Sequence, residues 1–268
     1  MDGFERLQEI LKKEERVAVA YSGGVDSSFL MAACVDALGA ENVLGIYVET
    51  ALHPKRERFD AYVLAQMRGW TVKVLEVDIA DKEEILRNDE RRCYFCKRVI
   101  FAQLRAYAEK KGISVILDGT NTDDLGEYRP GVEALSELDI RSPFREAGLS
   151  KADIRKLSKS VYDLPTWNKP SQACLATRIP YGTPIREEDL EKVEKGEAYL
   201  HELGYLTCRL RLHGVVGRVE IPEEDFEKFL TRHSRDVAAY FRDLGILYTA
   251  LDVLGFRSGS GTAVLERR

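Results

Sequence analysis

The chain has 268 residues and a formal net charge of −5, and 44% of its residues are hydrophobic. This length is enough for one large or two modest domains with a packed core. The acidic balance, with a pI near 5.6, gives no overall attraction to nucleic acid and favours a small-molecule substrate. Apolar stretches fall short of the roughly 20 residues that cross a bilayer, and residues 1–15 are too charged for a secretory signal. We therefore expect a cytoplasmic protein without membrane association.

The most informative segment is the run SGGVDSS from Ser22 to Ser28. It lies between apolar residues 17–21 and 29–33, so it joins a predicted strand to a predicted helix. Glycine N–H groups, hydroxyls and the positive end of the helix together favour a bound anion. A Walker loop, which serves γ-phosphoryl transfer, has Lys-Ser or Lys-Thr directly after its last glycine. This segment has neither. We expect ATP to be split between its α- and β-phosphates; a Gly-Ser-rich turn without a ligand is the alternative.

This segment resembles the signature of the PP-loop ATP pyrophosphatases, which activate a substrate oxygen as an adenylate. GMP, NAD and asparagine synthetases and several tRNA-thiolating enzymes share the loop, so the resemblance implies a chemistry without naming a substrate. It implies ATP as cofactor and an ATP cradle made by Ser22, Gly23, Gly24, Asp26, Ser27 and Ser28. Asp26 is expected to help hold magnesium (Mg²⁺), which offsets charge on the departing pyrophosphate.

Apolar segments typical of strands alternate with helical patterns through the first 160 residues. Strands are predicted at residues 17–21, 43–48, 71–77 and 115–118, and helices at 27–38, 55–68 and 98–111. This alternation predicts an α/β fold, a doubly wound parallel sheet with ligands at the carboxyl ends of its strands. The resemblance of residues 22–28 implies that the sheet is of the PP-loop, adenine nucleotide α-hydrolase-like kind.

Three polar residues follow predicted strands at that edge. Thr50 comes after the second strand, where this fold usually meets adenine, and Asp118 and Asp124 come after the fourth. Asp118 is a candidate nucleotide contact and Asp124 a candidate second Mg²⁺ ligand. Either carboxylate can instead cap a helix or form a turn.

Two cysteines, Cys93 and Cys96, form a CxxC motif among basic residues, and a cationic surround favours thiolates. A structural disulfide is not expected in a cytosolic protein, so the pair suits a metal or a redox role. Cys174 lies in the proline-rich segment 163–184 and converges with the CxxC if that segment covers the strand ends. Three cysteines suit an iron–sulfur cluster with one open iron better than a closed zinc site. Zinc with a histidine such as His213, or unmetallated thiols, are the alternatives.

The proline-rich segment also predicts the domain junction, because its four prolines exclude regular helix and central strand. We expect a PP-loop domain over residues 1–165 and a smaller α+β domain over residues 166–268 that binds the substrate. In the second domain, helices are predicted at 186–203 and 223–244, and strands at 207–213, 216–221 and 248–254. Cys34 lies in the apolar face of the predicted first helix, and Cys208 alternates with Leu210 and Leu212, so both are predicted to be core residues.

Further motifs resemble one family along nearly the whole chain. They are GTNTDD at 119–124, YRPG at 128–131, KP at 169–170, Cys174-Leu175, RIPYG at 178–182 and LGFRSGS at 254–260. These motifs look like the LarE family, ATP-dependent sulfur transferases that build the nickel-pincer cofactor of lactate racemase. The resemblance implies that the substrate is a pyridinium dicarboxylate mononucleotide, whose carboxylates are adenylated and then converted to thiocarboxylates.

The same resemblance assigns the sulfur nucleophile to Cys174. In the single-cysteine form of the family, that cysteine gives up its own sulfur and becomes dehydroalanine. In another form, three cysteines hold a 4Fe-4S cluster that carries an extra sulfide. Because this chain also has Cys93 and Cys96, we expect the cluster-dependent form, with sulfide or another sulfur donor as a partner. The family also implies a homo-oligomer.

Four residues of the second domain are candidates for substrate binding. Arg209 and Arg211 alternate with leucines on a predicted strand, so both point to one face and are placed to grip a phosphate; a solvated strand face is the alternative. Arg178 is placed to neutralise a substrate carboxylate or the α-phosphate, and Glu197 resembles a substrate-contacting acid of the family. Tyr128 and Arg129, in the first domain, are further substrate-side candidates without an assigned role.

Two other functions stay open. Related PP-loop proteins that have a CxxC and a third cysteine transfer sulfur to tRNA. Those proteins normally carry a basic RNA-binding module, and no such module is visible in this sequence. A nucleotide-binding sensor that retains the loop without chemistry is the other alternative. The intact Asp26 and the three candidate thiolates argue against it.

Overall fold

A computed structural model describes residues 2–125, 130–170 and 173–257. The chain forms two compact units, one of Met1–Asp78 with Cys93–Lys169 and one of Ile79–Arg92 with Pro170–Arg268. The segment Ile79–Arg92 thus packs with the second unit, so the two compact units are not separated by one boundary in the sequence. The division into functional domains over residues 1–165 and 166–268 stays a prediction. Tyr128, Arg129 and residues 258–260 lie outside the described residues.

The first unit contains a four-stranded parallel sheet in the order β3-β2-β1-β4. Its strands are β1 Val17–Ala20, β2 Val43–Glu49, β3 Val72–Glu76 and β4 Val115–Leu117. The strands β1, β2 and β4 are apolar and largely buried because helices cover both faces of the sheet, whereas the edge strand β3 has exposed residues at Lys73, Val74 and Glu76. The predicted α/β fold with a parallel sheet is confirmed. Beyond β4, the backbone of Arg141 makes an isolated parallel bridge to Leu117.

Eight α-helices are described between residues 3 and 160. They are α1 Gly3–Leu11, α2 Val25–Leu38, α3 Lys55–Met67, α4 Glu83–Leu86, α5 Arg92–Lys110, α6 Pro130–Glu137, α7 Pro143–Ala147 and α8 Lys151–Ser160. Helix α5 begins six residues before the predicted start at residue 98. The side chain of Asp89 accepts a hydrogen bond from the Arg91 N–H (2.9 Å), and its carbonyl accepts one from the Arg92 N–H (3.0 Å). This turn starts the helix early, so the CxxC is helical.

Two apolar cores cover the two faces of the sheet. On one face, α1, α2, α3 and α8 pack together, and the rings of Phe29 and Phe144 stack with centroids 5.5 Å apart. On the other face, Leu104 of α5 and Leu135 of α6 pack against Ile46 of β2. Because helices cover both faces of the sheet, ligands can reach it at the carboxyl ends of the strands.

The second unit is built on a three-stranded sheet in the order β5-β6-β7. Its elements are β5 Arg209–His213, β6 Val216–Glu220, β7 Tyr248–Leu251, α9 Glu187–Glu202, α10 Phe226–Lys228 and α11 Ser234–Asp243. Strands β5 and β6 are antiparallel, and β6 and β7 are parallel. A π-helical segment, Phe229–His233, interrupts the helix predicted over 223–244.

Close packing of helix on sheet explains one glycine of this unit. A Cβ on Gly196 of α9 would lie 2.3 Å from the Leu210 side chain, so glycine lets α9 approach β5. Cys34 and Cys208 are fully buried, as predicted. No helix in the described part of the chain has both the length and the apolar character that a membrane span requires.

Candidate functional site

The sheet order places a crevice between the ends of β1 and β4. After β1 the chain adds β2 and β3 on one side and then returns to place β4 on the other side. In open α/β sheets, ligands bind outside the carboxyl ends of the strands at such a reversal. Residues 22–28 follow β1 and residues 118–124 follow β4, so both predicted ATP-binding segments lie at this reversal.

The loop after β1 is shaped by a glycine. Gly23 has φ +71°, and a Cβ there would lie only 2.5 Å from the Cβ of Ala61 in α3. The N–H of Ser22 donates to the hydroxyl of Ser27 (3.1 Å), which folds the loop over the first turn of α2. The two Ser22 and Ser27 hydroxyl oxygens are also 3.1 Å apart. The loop therefore wraps the N-terminus of α2, where backbone N–H groups favour an anion.

Gly23→Ala is expected to destabilise the first unit through both strain and overlap. A left-handed backbone costs a residue with a Cβ roughly 1–2 kcal/mol, and overpacking adds about 1–3 kcal/mol. Gly69→Ala is the matched control, since Gly69 has φ +67° but nothing within 4 Å of its would-be Cβ. Urea unfolding of both variants measures the free energy of unfolding that each substitution costs. Equal losses in free energy of unfolding would contradict the close approach to Ala61.

A cleft of about 360 Å³ opens beside this loop, within the first unit. It is lined by Gly23, Phe59, Asp60, Val63, Leu64, Met67, Pro165, Thr166, Asn168 and Lys169. The Lys169 ammonium group lies 3.5 Å from the Gly23 carbonyl oxygen and 3.7 Å from the Asp60 carboxylate. A mostly apolar wall with a few polar groups is typical of ligand sites.

Asp26, in the first turn of α2, faces the residues that follow β4 and the start of α8. Its carboxylate accepts a hydrogen bond from the ammonium group of Lys151 and lies 3.5 Å from the side-chain nitrogen of Asn121. A Cβ on Gly119 would lie 2.9 Å from the Asp26 Cβ, so the chain after β4 passes directly against α2. The Asp26 side chain is still 26% exposed. It can therefore exchange these partners for a ligand.

The sequence analysis missed Lys151 and Asn121. Lys151 is the first residue of α8, directly after the capping box that Ser150 forms with Asp153. A positive side chain at a helix N-terminus opposes the helix dipole unless an anion compensates it, and here Asp26 supplies the negative charge. The S-x-x-D pattern at 150–153 was the available signal, because it places a lysine at an unfavourable helical position.

Thr50, the predicted adenine contact, is buried at the end of β2. Its hydroxyl oxygen accepts from the Leu52 N–H (3.1 Å) and lies 3.2 Å from His53 Nδ1. Burial lowers the pKa of His53, and the nearby Glu49 carboxylate opposes that shift. The hydroxyl of Thr50 thus organises the turn into α3, and its role toward adenine stays a prediction.

Asp118 and Asp124 both make local hydrogen bonds after β4. The buried carboxylate of Asp118 accepts from the hydroxyls of Thr120 and Ser142, the latter at 2.5 Å. Asp124 accepts from the N–H of Asn121 at 3.0 Å. The bonds within residues 118–124 are of the kind that turn-forming carboxylates make, whereas the bond from Ser142 to Asp118 joins residues 24 positions apart. Contacts of Asp118 with nucleotide and of Asp124 with Mg²⁺ stay predictions.

The predicted sulfur-site cysteines occur in both units. Cys93 and Cys96 lie at the N-terminal end of α5 and are half-buried; their i, i+3 spacing puts them on one helix face. Cys174, also half-buried, directly precedes the 3-10 turn Leu175–Arg178 of the second unit. Among the described residues, no three His, Cys, Asp or Glu side chains are placed to hold one metal ion. Convergence of the three thiols stays a prediction.

Arg178 and Glu197 form a buried ion pair. Two parallel hydrogen bonds of 2.9 Å join the guanidinium to the carboxylate, whose side chains are 2% and 8% exposed. Arg178 also donates to the carbonyl of Cys174 (3.0 Å), and Glu197 accepts from the Leu210 N–H (2.9 Å). The pair thereby anchors the turn after Cys174 to α9 and β5. A substrate contact for either residue stays a prediction.

Arg209 and Arg211 share one face of β5. Arg211 is buried, pairs with Glu220 through bonds of 3.1 and 3.0 Å, and donates to the carbonyl of Thr177 (2.7 Å). The Arg209 guanidinium lies 5.2 Å from the centroid of the Phe256 ring. Burial lowers the pKa of Arg209, and the positive charges of Arg178 and Arg211 act in the same direction. Arg178 and Arg211 are each paired with a buried carboxylate, Glu197 and Glu220, so a phosphate-binding role of Arg209 and Arg211 stays a prediction.

The chain is 35% identical to the pyridinium-3,5-bisthiocarboxylic acid mononucleotide synthase of Lactiplantibacillus plantarum over 253 residues, which cover 94% of this chain and 91% of that protein. The chain belongs to the LarE family. Like the other members, it is a PP-loop enzyme, an ATP-using sulfurtransferase. An uncharacterised protein of Synechocystis sp. is 36% identical over 265 residues, 98% of each chain.

The PP-loop part of this LarE-family chain also resembles NAD synthases. The NAD synthase family model matches residues 5–117. An NH(3)-dependent NAD(+) synthetase of Methanococcoides burtonii is 44% identical over 63 residues, 24% of this chain and 24% of that protein. The likeness to NAD synthetases is therefore partial, whereas the likeness to the L. plantarum synthase extends over both units.

Proposed function

We propose that this LarE-family protein uses ATP to adenylate the carboxylates of a pyridinium dicarboxylate mononucleotide and converts them to thiocarboxylates for the nickel-pincer cofactor of lactate racemase. The observation that carries the proposal is the 35% identity over 94% of the chain to a protein named as synthase of the bisthiocarboxylic acid mononucleotide. The crevice around Asp26 and the anchored turn after Cys174 supply one group of residues for each chemical step.

The first step activates the carboxylate. A carboxylate is a poor electrophile because oxide would have to leave, whereas an acyl-adenylate expels AMP. The substrate oxygen attacks the α-phosphorus of ATP, and pyrophosphate leaves. The loop Ser22–Ser28 and Lys151 are placed to bind the phosphates, with Asp26 and Asp124 as ligands of Mg²⁺. Carboxylate oxygens are the ligands that Mg²⁺ prefers, so the donor set fits this ion, which offsets charge on the leaving pyrophosphate.

The second step transfers sulfur. A thiolate sulfur at Cys174 attacks the acyl carbon, a C–S bond forms, and the bond to AMP breaks. When the cysteine gives up its own sulfur, its Cα proton leaves, its Cβ–S bond breaks, and dehydroalanine and the thiocarboxylate form. Arg178 holds the carbonyl of Cys174, which keeps the turn in place. Arg209 and Arg211 would bind the phosphate of the mononucleotide.

We further propose that Cys93, Cys96 and Cys174 hold a 4Fe-4S cluster. Thiolates are the usual ligands of such clusters, and the i, i+3 spacing on α5 suits two of them. When bound, the cluster would supply a sulfide as nucleophile, with sulfide or another sulfur donor to replace it. Anaerobic reconstitution with iron and sulfide tests this assignment. Iron uptake that is unchanged in Cys174→Ala would contradict a three-thiol site. A homo-oligomer also stays a proposal.

Pyrophosphate release tests the overall function. The purified protein, with ATP and Mg²⁺, should release pyrophosphate and AMP only when the pyridinium dicarboxylate mononucleotide is added. Mass spectrometry should then show one oxygen of each reacting carboxylate replaced by sulfur. Release triggered by tRNA would support the tRNA-thiolation alternative instead. No release with either substrate would support a sensor and contradict the proposal.

A further inference from the structure

We infer that Asn88 and Arg92 are positioning residues for sulfur transfer, which act through the turn that follows Cys174. The inference rests on the proposed function, because it concerns the second of the two steps. Both residues lie in the segment Ile79–Arg92, which packs with the second unit. Neither is a catalytic residue in this assignment, since each contacts the protein backbone around the turn.

Arg92 is a buried cation held against that turn. It is 1% exposed, and its guanidinium donates to the carbonyl of Ala176 (3.2 Å) and to the Tyr181 hydroxyl (3.4 Å). The same guanidinium lies 4.8 Å from the centroid of the Tyr181 ring. Ala176 comes two residues after Cys174, so Arg92 fixes the middle of the turn. Lysine cannot reproduce this planar fork, because its charge sits at one nitrogen.

Asn88 completes the arrangement. It is fully buried with φ +59°, a left-handed conformation that asparagine adopts more readily than most residues. Its side-chain oxygen accepts from Arg92, while its side-chain nitrogen donates to the carbonyls of Pro180 (2.9 Å) and Thr183 (2.8 Å). Its own carbonyl accepts from the Gly182 N–H (3.0 Å). One side chain thus orients Arg92 and binds the backbone after the turn.

The turn after Cys174 is consequently held from two directions. The Arg178 and Glu197 pair ties its ends to α9 and β5, and Arg92 with Asn88 ties its middle to the segment before α5. Arg92 is also the first residue of α5 and is bonded to Cys93. Within the second unit, Arg92 therefore anchors the turn that follows Cys174. Sulfur transfer needs an attacking atom placed to within about an ångström, and a misplacement of that size can cost roughly 10²-fold in rate.

The experiment compares Arg92→Lys with the control Arg87→Lys. Arg87 is on the same segment, and its side chain is 64% exposed and paired with Asp89 at the surface. Pyrophosphate and thiocarboxylate are measured in the same reaction with the pyridinium substrate. In Arg92→Lys we expect pyrophosphate release near the wild-type rate and roughly 10-fold to 10²-fold less thiocarboxylate per pyrophosphate. Arg87→Lys should retain the wild-type ratio.

A second variant distinguishes a loss of positioning from a folding defect. Asn88→Gly keeps the left-handed backbone accessible but removes the acceptor that orients Arg92, and it should lower the same ratio. If both products fall together in both variants, the residues are structural and the inference is wrong. If Arg92→Lys keeps the wild-type ratio, the inference is also wrong, while the proposed function stands. If the wild-type protein shows no substrate-dependent pyrophosphate release, the proposed function fails, and the inference fails with it.

Discussion

Replacing Asp26 with asparagine is expected to lower ATP-dependent pyrophosphate release by about 10²–10³-fold, the range seen when a group that stabilises developing charge is removed. Asparagine keeps the shape of the side chain but loses the negative charge. The partially exposed carboxylate contacts Lys151 and Asn121, and in the proposed function it would help to hold Mg²⁺, which would offset charge on the leaving pyrophosphate. The measurement is pyrophosphate release at saturating substrate, with thermal unfolding to show that the fold is retained.

Two further variants sharpen this result. Asp36→Asn changes a carboxylate on the same helix that accepts from Tyr162 (3.0 Å) at the surface, and it should leave pyrophosphate release unchanged. Lys151→Met should raise KM for ATP and lower kcat less than Asp26→Asn does, since a lysine binds phosphate as one charge among several donors. Wild-type release in Asp26→Asn would show that another residue holds the metal.

The fold was largely predictable from the sequence because its signals are local. The strands β1, β2 and β4 are short, mainly apolar runs between helical patterns, and β3 contains both apolar and charged residues. The glycine-rich loop after β1 is explained by a left-handed Gly23 against α3. The early start of α5 was not predictable from hydrophobic periodicity, because the Asp89 turn that begins it consists of charged residues. The π-helical Phe229–His233 likewise carries no pattern that distinguishes it from an α-helix.

The candidate site was predictable only in part, because its charges are paired by the fold. Asp26 and Lys151 are 125 positions apart in the chain, and no spacing rule connects them. Arg178 and Glu197 were singled out separately, yet their identities gave no indication that they pair with each other inside the second unit. A buried arginine needs a compensating partner, but the sequence does not say which carboxylate supplies it.

Cys174→Ala is expected to eliminate thiocarboxylate formation while pyrophosphate release continues, because the residues proposed for adenylation do not include Cys174. Alanine removes the sulfur atom and leaves the backbone bond from Arg178 to the Cys174 carbonyl available. Acyl-adenylate would then be lost only to water, so AMP should accumulate with the original carboxylate. Cys208→Ala is the matched control, because this thiol belongs to the same unit and is fully buried in its core. It should retain both products.

The same assay on Cys93→Ala decides where the transferred sulfur comes from. If a cluster carries the sulfide, loss of Cys93 should stop thiocarboxylate formation as completely as loss of Cys174, since both thiols hold the same iron site. If Cys174 gives up its own sulfur, Cys93→Ala should still make thiocarboxylate once per protein chain, and the chain should lose the mass of one hydrogen sulfide. Thiocarboxylate formation at the wild-type rate in Cys174→Ala would contradict both routes, because each of them passes through that turn.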